Sequence, residues 1–206
     1  MLRFLWSIIF AVAVVAPLVF SSNVWAQAHA TYSGSGDDVV EISKPKKGVP
    51  ALLVISGNRD SSHFAVIARD ASGNRVGALV NTTDPYKGIV PVDLPPRTET
   101  KLLEIKASGS WRIKLYSIGA AQRVKVPGTF EGEDDNVLWV EGNPSRAKIN
   151  GNSASSHFAV IAYDKHGNRL GAQVNTTDPY SGTVIIPSKT LLLQVTAVGD
   201  WSVELK

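Results

Sequence analysis

Short runs in which apolar and polar residues alternate recur along the chain and predict β-strands, because successive strand side chains point to opposite faces. The run Trp111–Tyr116 is the clearest, with an apolar residue at every second position. The run His63–Asp70 is apolar on both faces, which suits a central strand. Gly, Pro, Asn and Asp separate the runs, and no run outside the N-terminus has a convincing helical period. This pattern predicts an all-β protein.

A long internal repeat divides the chain. The stretch Ser61–Tyr86 returns almost unchanged as Ser155–Tyr180, and an ungapped comparison of Gly57–Val92 with Gly151–Ile186 has 25 identical positions of 36. The offset of 94 residues is far longer than a solenoid repeat, so each copy is predicted to be a whole small domain. The first copy is four residues longer around Asp93–Thr98, a length change that is typical of a surface loop.

The repeat and the strand pattern together predict the architecture. We expect two tandem homologous antiparallel β-sandwich domains, jelly-roll-like, after an N-terminal signal peptide. The predicted boundaries are a signal peptide at 1–28, a first sandwich at 29–118, a linker at 119–122 and a second sandwich at 123–206. Domains of this size can fold alone but need a well-packed core.

The N-terminus has the pattern of an export signal. Arg3 precedes the apolar run Phe4–Phe20, and small residues then stand where a signal peptidase reads the chain, so cleavage is predicted after Ala26 or Ala28. An uncleaved anchor is the alternative, against which Pro17 argues. The chain has no cysteine, hence no lipidation site behind the signal and no disulfide framework. We expect a secreted or cell-surface protein with no stable membrane insertion after cleavage.

The charge balance argues against a nucleic-acid partner. The 21 basic and 18 acidic side chains nearly cancel, and there is no long basic run. A nucleic-acid footprint needs clustered Lys and Arg. Short basic clusters such as Lys44–Lys47 are interpreted as solvated loops.

The repeated words form a pattern, GDDV, SSHFAV, D..GN, LVNTTDPY.G and a closing L.I.A.G.W.I, that covers essentially the whole chain after the predicted signal. This pattern resembles a repeat of secreted and surface-attached bacterial proteins, particularly actinobacterial ones. In rhythm it is also similar to the prepeptidase C-terminal class of β-sandwich accessory domains. The resemblance implies an extracellular, noncatalytic accessory module.

The most specific repeated motifs are the two NTTDPY segments. One interpretation is a strand end followed by an Asx-type turn, in which Asn and Asp bond local amides and Tyr covers the core edge. The other is a polar loop that contacts a ligand. The candidate ligand-binding residues in these segments are Asn81, Asp84, Tyr86, Asn175, Asp178 and Tyr180.

Acidic turns at equivalent places in both copies are candidate cation sites. Oxygen ligands in a flexible loop suit Ca²⁺, although no twelve-residue calcium-loop spacing is present. Solvated acidic turns are the alternative interpretation. The candidate metal ligands for a structural Ca²⁺ are Asp37, Asp38, Asp134 and Asp135.

Two aromatic residues distinguish the second copy. Trp139 stands where the first copy has Glu41, and Tyr163 replaces Arg69. If Glu41 faces solvent, Trp139 does too, and exposed aromatics on a sandwich face are platforms for sugar rings or protein partners. Alternatively, both aromatics pack against the other domain.

These observations rank three functions. The first is an exported noncatalytic module that binds cell-envelope or extracellular polysaccharide, where two linked sites would gain affinity. The second is a structural or protein-interaction module at the cell surface. A hydrolase comes third, because the neighbours in Ser62-His63 and Ser156-His157 point to opposite strand faces and cannot bond each other.

Overall fold

The structure is a computed structural model that describes residues 27–96 and 98–206. The predicted signal peptide lies almost wholly outside the described residues, so its prediction stays untested. Within the described part of the chain, no helix is long and apolar enough to cross a membrane. This part forms seventeen strands and one 3-10 turn at Ile118–Ala120.

The N-terminal half contains eight strands. They are β1 (Ala30–Ser35), β2 (Asp38–Glu41), β3 (Ala51–Gly57), β4 (Phe64–Arg69), β5 (Arg75–Thr82), β6 (Tyr86–Val92), β7 (Leu102–Lys106) and β8 (Ser110–Ser117). The C-terminal half contains nine strands. They are β9 (Gln122–Lys125), β10 (Gly128–Glu133), β11 (Asn136–Glu141), β12 (Arg146–Gly151), β13 (Phe158–Tyr163), β14 (Arg169–Thr176), β15 (Tyr180–Ile185), β16 (Leu192–Thr196) and β17 (Asp200–Leu205).

Each half is a jelly roll of two facing sheets. In the N-terminal half, sheet I has the order β1-β8-β3-β6 and sheet II the order β2-β7-β4-β5. In the C-terminal half, sheet IV (β10-β17-β12-β15) matches sheet I, and sheet III (β14-β13-β16-β11-β9) matches sheet II with one strand added. Two four-stranded sheets that exchange consecutive strands in this order define the jelly roll. The all-β, jelly-roll-like prediction is confirmed, whereas the division into two independent domains stays a prediction.

The added strand β9 was not predicted. It begins at the last residue of the predicted linker, 119–122, and pairs in parallel with β11, from Gln122 opposite Leu138 to Lys125 opposite Glu141. The chain therefore passes between the halves as part of sheet III.

Three apolar clusters hold four sheets in the layer order II, I, III, IV. One cluster fills the space between sheets I and II, and a second fills the space between sheets III and IV. The third lies between sheets I and III. Its buried members are Leu52, Tyr116, Ala121, Val137, Tyr163 and Leu192. One end of the outer face of sheet I is therefore covered by the other half, so the two halves form one stack.

Differences between equivalent residues of the two repeats explain why the outer face of sheet I is covered at one end and that of sheet IV is not. Leu52 and Tyr116 are register partners on the outer face of sheet I, and both are buried. The same positions in sheet IV carry Arg146 and Lys206, which are exposed. Burying apolar side chains is favourable, and burying unpaired charges is costly. Sheet I can therefore dock on sheet III, and sheet IV remains open to solvent.

The loop that is longer in the first repeat also contacts the second half. Leu94 and Pro96 lie against the β13–β14 turn, where a Cβ added at Gly167 would be 3.0 Å from Leu94 Cδ1 and from Pro96 Cδ. Asp93 begins this loop at φ +59° and forms an ion pair with Lys44, with both side chains almost completely buried. The solvated position predicted for Lys44 is wrong, because the loop folds over this lysine.

Tryptophans at equivalent places anchor the acidic turns of both halves. Trp111 lies opposite Gly34 on β1, and Trp201 lies opposite Gly132 on β10. A Cβ at Gly34 would be 2.6 Å from Trp111 Cζ2, so only glycine admits the indole. Each indole N–H donates to a backbone carbonyl of the acidic turn that follows β1 or β10. The distance is 3.1 Å in the first half and 2.9 Å in the second. Both tryptophans are buried, as the alternating pattern of the run Trp111–Tyr116 predicts for Trp111.

Candidate ligand-binding groove between the halves

The outer face of sheet I is covered at one end and open at the other. Towards the open end, a transverse row of register partners crosses the sheet, with Arg112 between Ser33 and Ser56, and Ser56 next to Lys87. These side chains point away from the core because their strand neighbours, which are buried or half-buried, point towards it. The sheets therefore leave a groove where sheet I becomes polar.

The groove consists of two adjoining spaces of about 900 Å³ and 650 Å³. Both spaces share six lining residues from the two halves: Ser56, Arg59, Lys87, Arg112, Glu133 and Asp134. Ligand sites commonly occupy about 300–1,000 Å³, so the groove is large enough for several sugar-sized units. Below, "the groove" means these two spaces together.

Four cations line the groove on the side of sheet I. They are Arg59, Lys87, Arg112 and Lys114. Three of these side chains are exposed and Lys114 is half-buried. None of the four forms an ion pair with a carboxylate among residues 27–96 and 98–206. Their charge is therefore available to a ligand.

The opposite wall is the turn between β10 and β11, which carries Glu133 and Asp134. Asp134 has φ +55°, and its Oδ1 accepts a 2.9 Å hydrogen bond from the N–H of Gly199. Its carbonyl also accepts from the indole of Trp201. The wall is thus held by bonds within the second half, and it faces the cations of the first.

Asp135 ties this wall to the first half. Its Oδ2 accepts from the hydroxyl of Tyr86 at 2.7 Å, and its carbonyl accepts from the N–H of Ile89 at 2.8 Å. Its Oδ1 accepts from the N–H of Ala197 at 3.0 Å. Burial raises the pKa of Asp135, and burial together with the nearby carboxylate raises the pKa of Tyr86. The base of the groove is therefore a part-buried hydrogen bond between the halves.

The homologous place in the second half has different chemistry. It is a space of about 590 Å³ lined by Glu131, Asp200 and small polar residues. The four cations of the groove correspond in sequence to Ser153, Ser181, Ser202 and Glu204. Asn150, which replaces Ser56, donates to Ser202 Oγ at 3.1 Å and accepts from Ser181 Oγ at 2.7 Å. The second half therefore carries acidic and mutually bonded side chains where the first carries free cations.

The NTTDPY segments make mainly local hydrogen bonds. The N–H of Asp84 donates to Thr82 Oγ1 at 3.0 Å, and Asn58 Nδ2 donates to the carbonyl of Asp84 at 2.9 Å. His63 Nε2 lies 3.1 Å from Asn81 Oδ1. The second half repeats all three bonds at Asp178, Asn152 and Asn175. The bond within the turn uses the Thr82 hydroxyl, and Asn81 contacts the His63 ring instead of the local amide that the turn interpretation predicts.

Of the six candidates in these segments, Tyr86 alone is among the residues that line the groove. Its ring covers the core edge against Phe64, with the ring centroids 6.4 Å apart, and Tyr180 makes the same contact with Phe158. The two tyrosines differ at the hydroxyl. That of Tyr86 bonds Asp135, whereas that of Tyr180 makes no hydrogen bond within the described residues. A ligand role for the other five candidates stays a prediction.

The exposed position predicted for Trp139 and Tyr163 is wrong. Tyr163 is only 3% exposed and donates to Gln194 Oε1 at 3.0 Å, and both aromatics belong to the cluster between sheets I and III. The guanidinium of Arg123 lies over the indole of Trp139, 5.2 Å from the ring centroid. The reason is the docking of the halves, which covers this face of sheet III, so these residues form no aromatic platform.

The carboxylates of the acidic turns accept hydrogen bonds from backbone N–H groups. Asp37 Oδ1 accepts from the N–H of Ala107 at 3.0 Å, and its Oδ2 pairs with Lys106. Asp38 Oδ1 accepts from the next N–H, that of Val39. No group of three or more His, Cys, Asp or Glu residues suited to a metal occurs in the part of the chain that the structure describes. Calcium binding stays a prediction.

The four cations were not among the residues predicted from the sequence. They lie at separate places in the sequence, after β3, in β6 and in β8, and none belongs to a charge run. The signal that could have found them is the alignment of the two repeats, in which Arg or Lys of the first copy is aligned with Ser or Glu of the second at all four positions.

No family model matches the chain, and no curated protein matches it. Among solved structures, it is similar to the PBSX exported protein XepA, at 8% identity and a TM-score of 0.27, over 89% of this chain and 87% of that one. It is similar to the regulatory subunit of a cAMP-independent protein kinase A from Trypanosoma brucei, at 9% identity and a TM-score of 0.24, over 85% and 73%. A chain of Sulfolobus Turreted Icosahedral Virus has 9% identity and a TM-score of 0.25, over 86% and 88%. These scores are too low to bear on ligand or assembly.

Proposed function

We propose that the protein is an exported, noncatalytic module that binds cell-envelope or extracellular polysaccharide in the groove between its halves. The observation that carries this proposal is the groove itself, an open polar trough formed by sheet I and the β10–β11 turn. A trough admits an internal segment of a polymer, whereas pockets for small molecules enclose most of the ligand surface.

The lining suits sugar hydroxyls. Ser33, Ser56 and Ser110 offer hydroxyls on one side, and Glu133 offers a carboxylate on the other. A sugar hydroxyl both donates and accepts a hydrogen bond, so it can use a wall that mixes donors with acceptors. The N-terminal sequence pattern and the resemblance to secreted bacterial repeats support export.

The alternative, a structural or protein-interaction module, needs an apolar surface centre. The large apolar side chains that stand exposed among the described residues are Val39, Val76, Ile185 and Val198. They lie on three different strands and one turn, which favours the groove as the binding surface.

The test is a pull-down of residues 27–206 on purified bacterial cell walls and on insoluble polysaccharides. The variant Ser56→Ile places an apolar branched side chain between Lys87 and Arg112, and Thr183→Ile makes a similar change on the exposed face of sheet IV. We expect the parent protein and Thr183→Ile to be retained and Ser56→Ile to stay in the supernatant. Absence of retention of the parent on every matrix, or equal retention of Ser56→Ile, would contradict the proposal.

A further inference from the structure

We infer that the groove selects polysaccharides that carry anionic groups, and that the N-terminal half alone supplies the charge for this recognition. The inference rests on the proposed function and adds the chemical class of the ligand.

The cations are arranged as a receptor for separated negative charges. Arg112 and Lys87 flank Ser56 on adjacent strands, so their backbones are two strand spacings, or about 10 Å, apart. Lys114 follows Arg112 on the same face of β8, and Arg59 lies just beyond the end of β3. Four like charges with no carboxylate partner among the described residues repel one another, and an anionic ligand would relieve that repulsion.

The acidic wall restricts the charge density of the ligand. Glu133 and Asp134 face the cations across the groove, and they would repel a polymer that carries a charge at every backbone unit, such as a nucleic acid. They can accept hydrogen bonds from neutral hydroxyls. A chain that has both hydroxyls and spaced carboxylate or phosphate groups satisfies both walls, and acidic polysaccharides have this composition.

An acidic protein fits the groove less well. The centres of protein interfaces are apolar, with charged residues depleted, whereas three serines, three glycines and the four cations are among the residues that line this groove. Three large aromatics line the groove. Trp111 and Tyr116 are 3% and 7% exposed, and Tyr86 is half-buried with its ring packed against Phe64, so none presents an open face to stack on bases.

The second repeat supplies the internal comparison. It has the same strand order and the same tryptophan-anchored turn, but it replaces the cations with Ser153, Ser181, Ser202 and Glu204. Its pocket is lined by Glu131 and Asp200, and Asn150 bonds two of the replacing serines. The second half therefore lacks the cationic receptor and is not expected to bind the anionic polymer.

The test compares two anionic polysaccharides with a neutral one. Polygalacturonate supplies carboxylates, glycerol-phosphate teichoic acid supplies phosphates, and dextran is neutral, and binding to residues 27–206 is titrated by calorimetry at about 0.15 M salt so that weak charge attraction is screened. We expect at least one anionic polymer to bind about tenfold more tightly than dextran. The better of the two identifies the anionic group.

The variant Arg112→Ser/Lys87→Ser gives the first half the residues of the second. Both side chains are exposed, so folding should be retained, and circular dichroism checks this. We expect the variant to lose about tenfold in affinity for the anionic polymer with dextran binding unchanged. The matched control, Arg146→Ser/Lys148→Ser, removes two exposed cations from sheet IV and should change the affinity by less than about twofold.

The outcomes separate this inference from the proposed function. Binding of dextran as tight as that of the anionic polymers, or equal losses in the two double variants, would overturn the inference and leave polysaccharide binding intact. Binding of none of the three polymers or the matrices above would overturn both. Tighter binding of polyglutamate or duplex DNA than of either anionic polysaccharide would overturn the assigned ligand class.

Discussion

The hydroxyl of Tyr86 is predicted to stabilise the contact between the halves, and Tyr86→Phe removes it while leaving the ring in place. The hydroxyl donates to Asp135 Oδ2 at 2.7 Å in a part-buried position. The natural control is Tyr180→Phe in the second half. Tyr180 packs on its neighbouring phenylalanine with the same 6.4 Å centroid distance and 44° interplanar angle as Tyr86, but its hydroxyl bonds nothing within the described residues.

The size of the effect follows from the carboxylate. A hydrogen bond to a charged group contributes about 1.5–3 kcal/mol to stability, so Tyr86→Phe is expected to lower the free energy of unfolding by about 2 kcal/mol. Tyr180→Phe should lie within about 0.5 kcal/mol of the parent protein. With a urea dependence of about 1–3 kcal/mol per molar, the first variant shifts the unfolding midpoint by about 1 M.

The pH dependence gives an independent check. Burial raises the folded-state pKa of Asp135 above its usual 3.8, so the folded protein binds this proton more tightly than the unfolded chain does. The stability that Asp135 contributes is therefore greatest below its unfolded pKa and decreases as pH rises through the folded pKa. In the same interval Asp135 becomes charged. The hydrogen bond that Tyr86→Phe removes then changes from a neutral one, which contributes about 0.5–1.5 kcal/mol, to one with a charged acceptor.

The assay is urea unfolding of the parent and both variants, followed by tryptophan fluorescence and circular dichroism at about pH 4 and pH 7. The difference in unfolding free energy between Tyr86→Phe and Tyr180→Phe should be larger at the higher pH. Equal midpoints for the two variants at pH 7, or a gap that narrows as pH rises, would refute the assigned role of the Tyr86–Asp135 bond.

Three further changes test the packing. Lys44→Met leaves the buried carboxylate of Asp93 unpaired and should cost about 3–5 kcal/mol in urea unfolding. Adding Asp93→Asn, which tolerates the φ of +59°, should recover part of that loss, and no recovery would argue against the ion pair. Trp139→Ala should destabilise the protein by up to about 3 kcal/mol while leaving polysaccharide retention unchanged, because Trp139 packs between the sheets and does not line the groove. Loss of retention in a folded Trp139→Ala protein would instead support the hypothesis that Trp139 contacts the ligand. Gly34→Ala places a Cβ 2.6 Å from an indole carbon and should lower the unfolding free energy by about 1–3 kcal/mol, whereas Gly77→Ala, with nothing within 4 Å of the added Cβ, should not.

Local sequence patterns predicted the strands well. Alternation over Trp111–Tyr116 placed every second residue in the core, and Trp111, Ile113 and Leu115 are all buried. Such alternation is a property of a single strand, so it can be read without knowing the partner strand. The strand β9 escaped notice because four residues in parallel pairing with β11 have no periodic signal of their own.

Contacts between distant segments could not be predicted from local patterns. The carboxylate of Asp37, a candidate cation ligand, accepts a hydrogen bond from the N–H of Ala107, seventy residues away. Trp139 and Tyr163 look exposed when each sandwich is considered alone. The run Ala51–Ile55 is apolar on both faces, and a strand of this kind is normally covered on both faces. This run could therefore have predicted that another part of the protein packs on the outer face of sheet I.

The sequence by itself determined the repeated strand pattern, the turns and the core-facing residues, since each depends on neighbours within a few positions along the chain. The tertiary structure decided the groove. Arg59, Lys87 and Arg112 are separated by tens of residues, and they meet because β3, β6 and β8 are adjacent in sheet I. The opposing wall arrives only when apolar side chains of sheets I and III bury each other. Pairing of distant strands and docking of sheets are non-local, so no local pattern encodes where these charges converge.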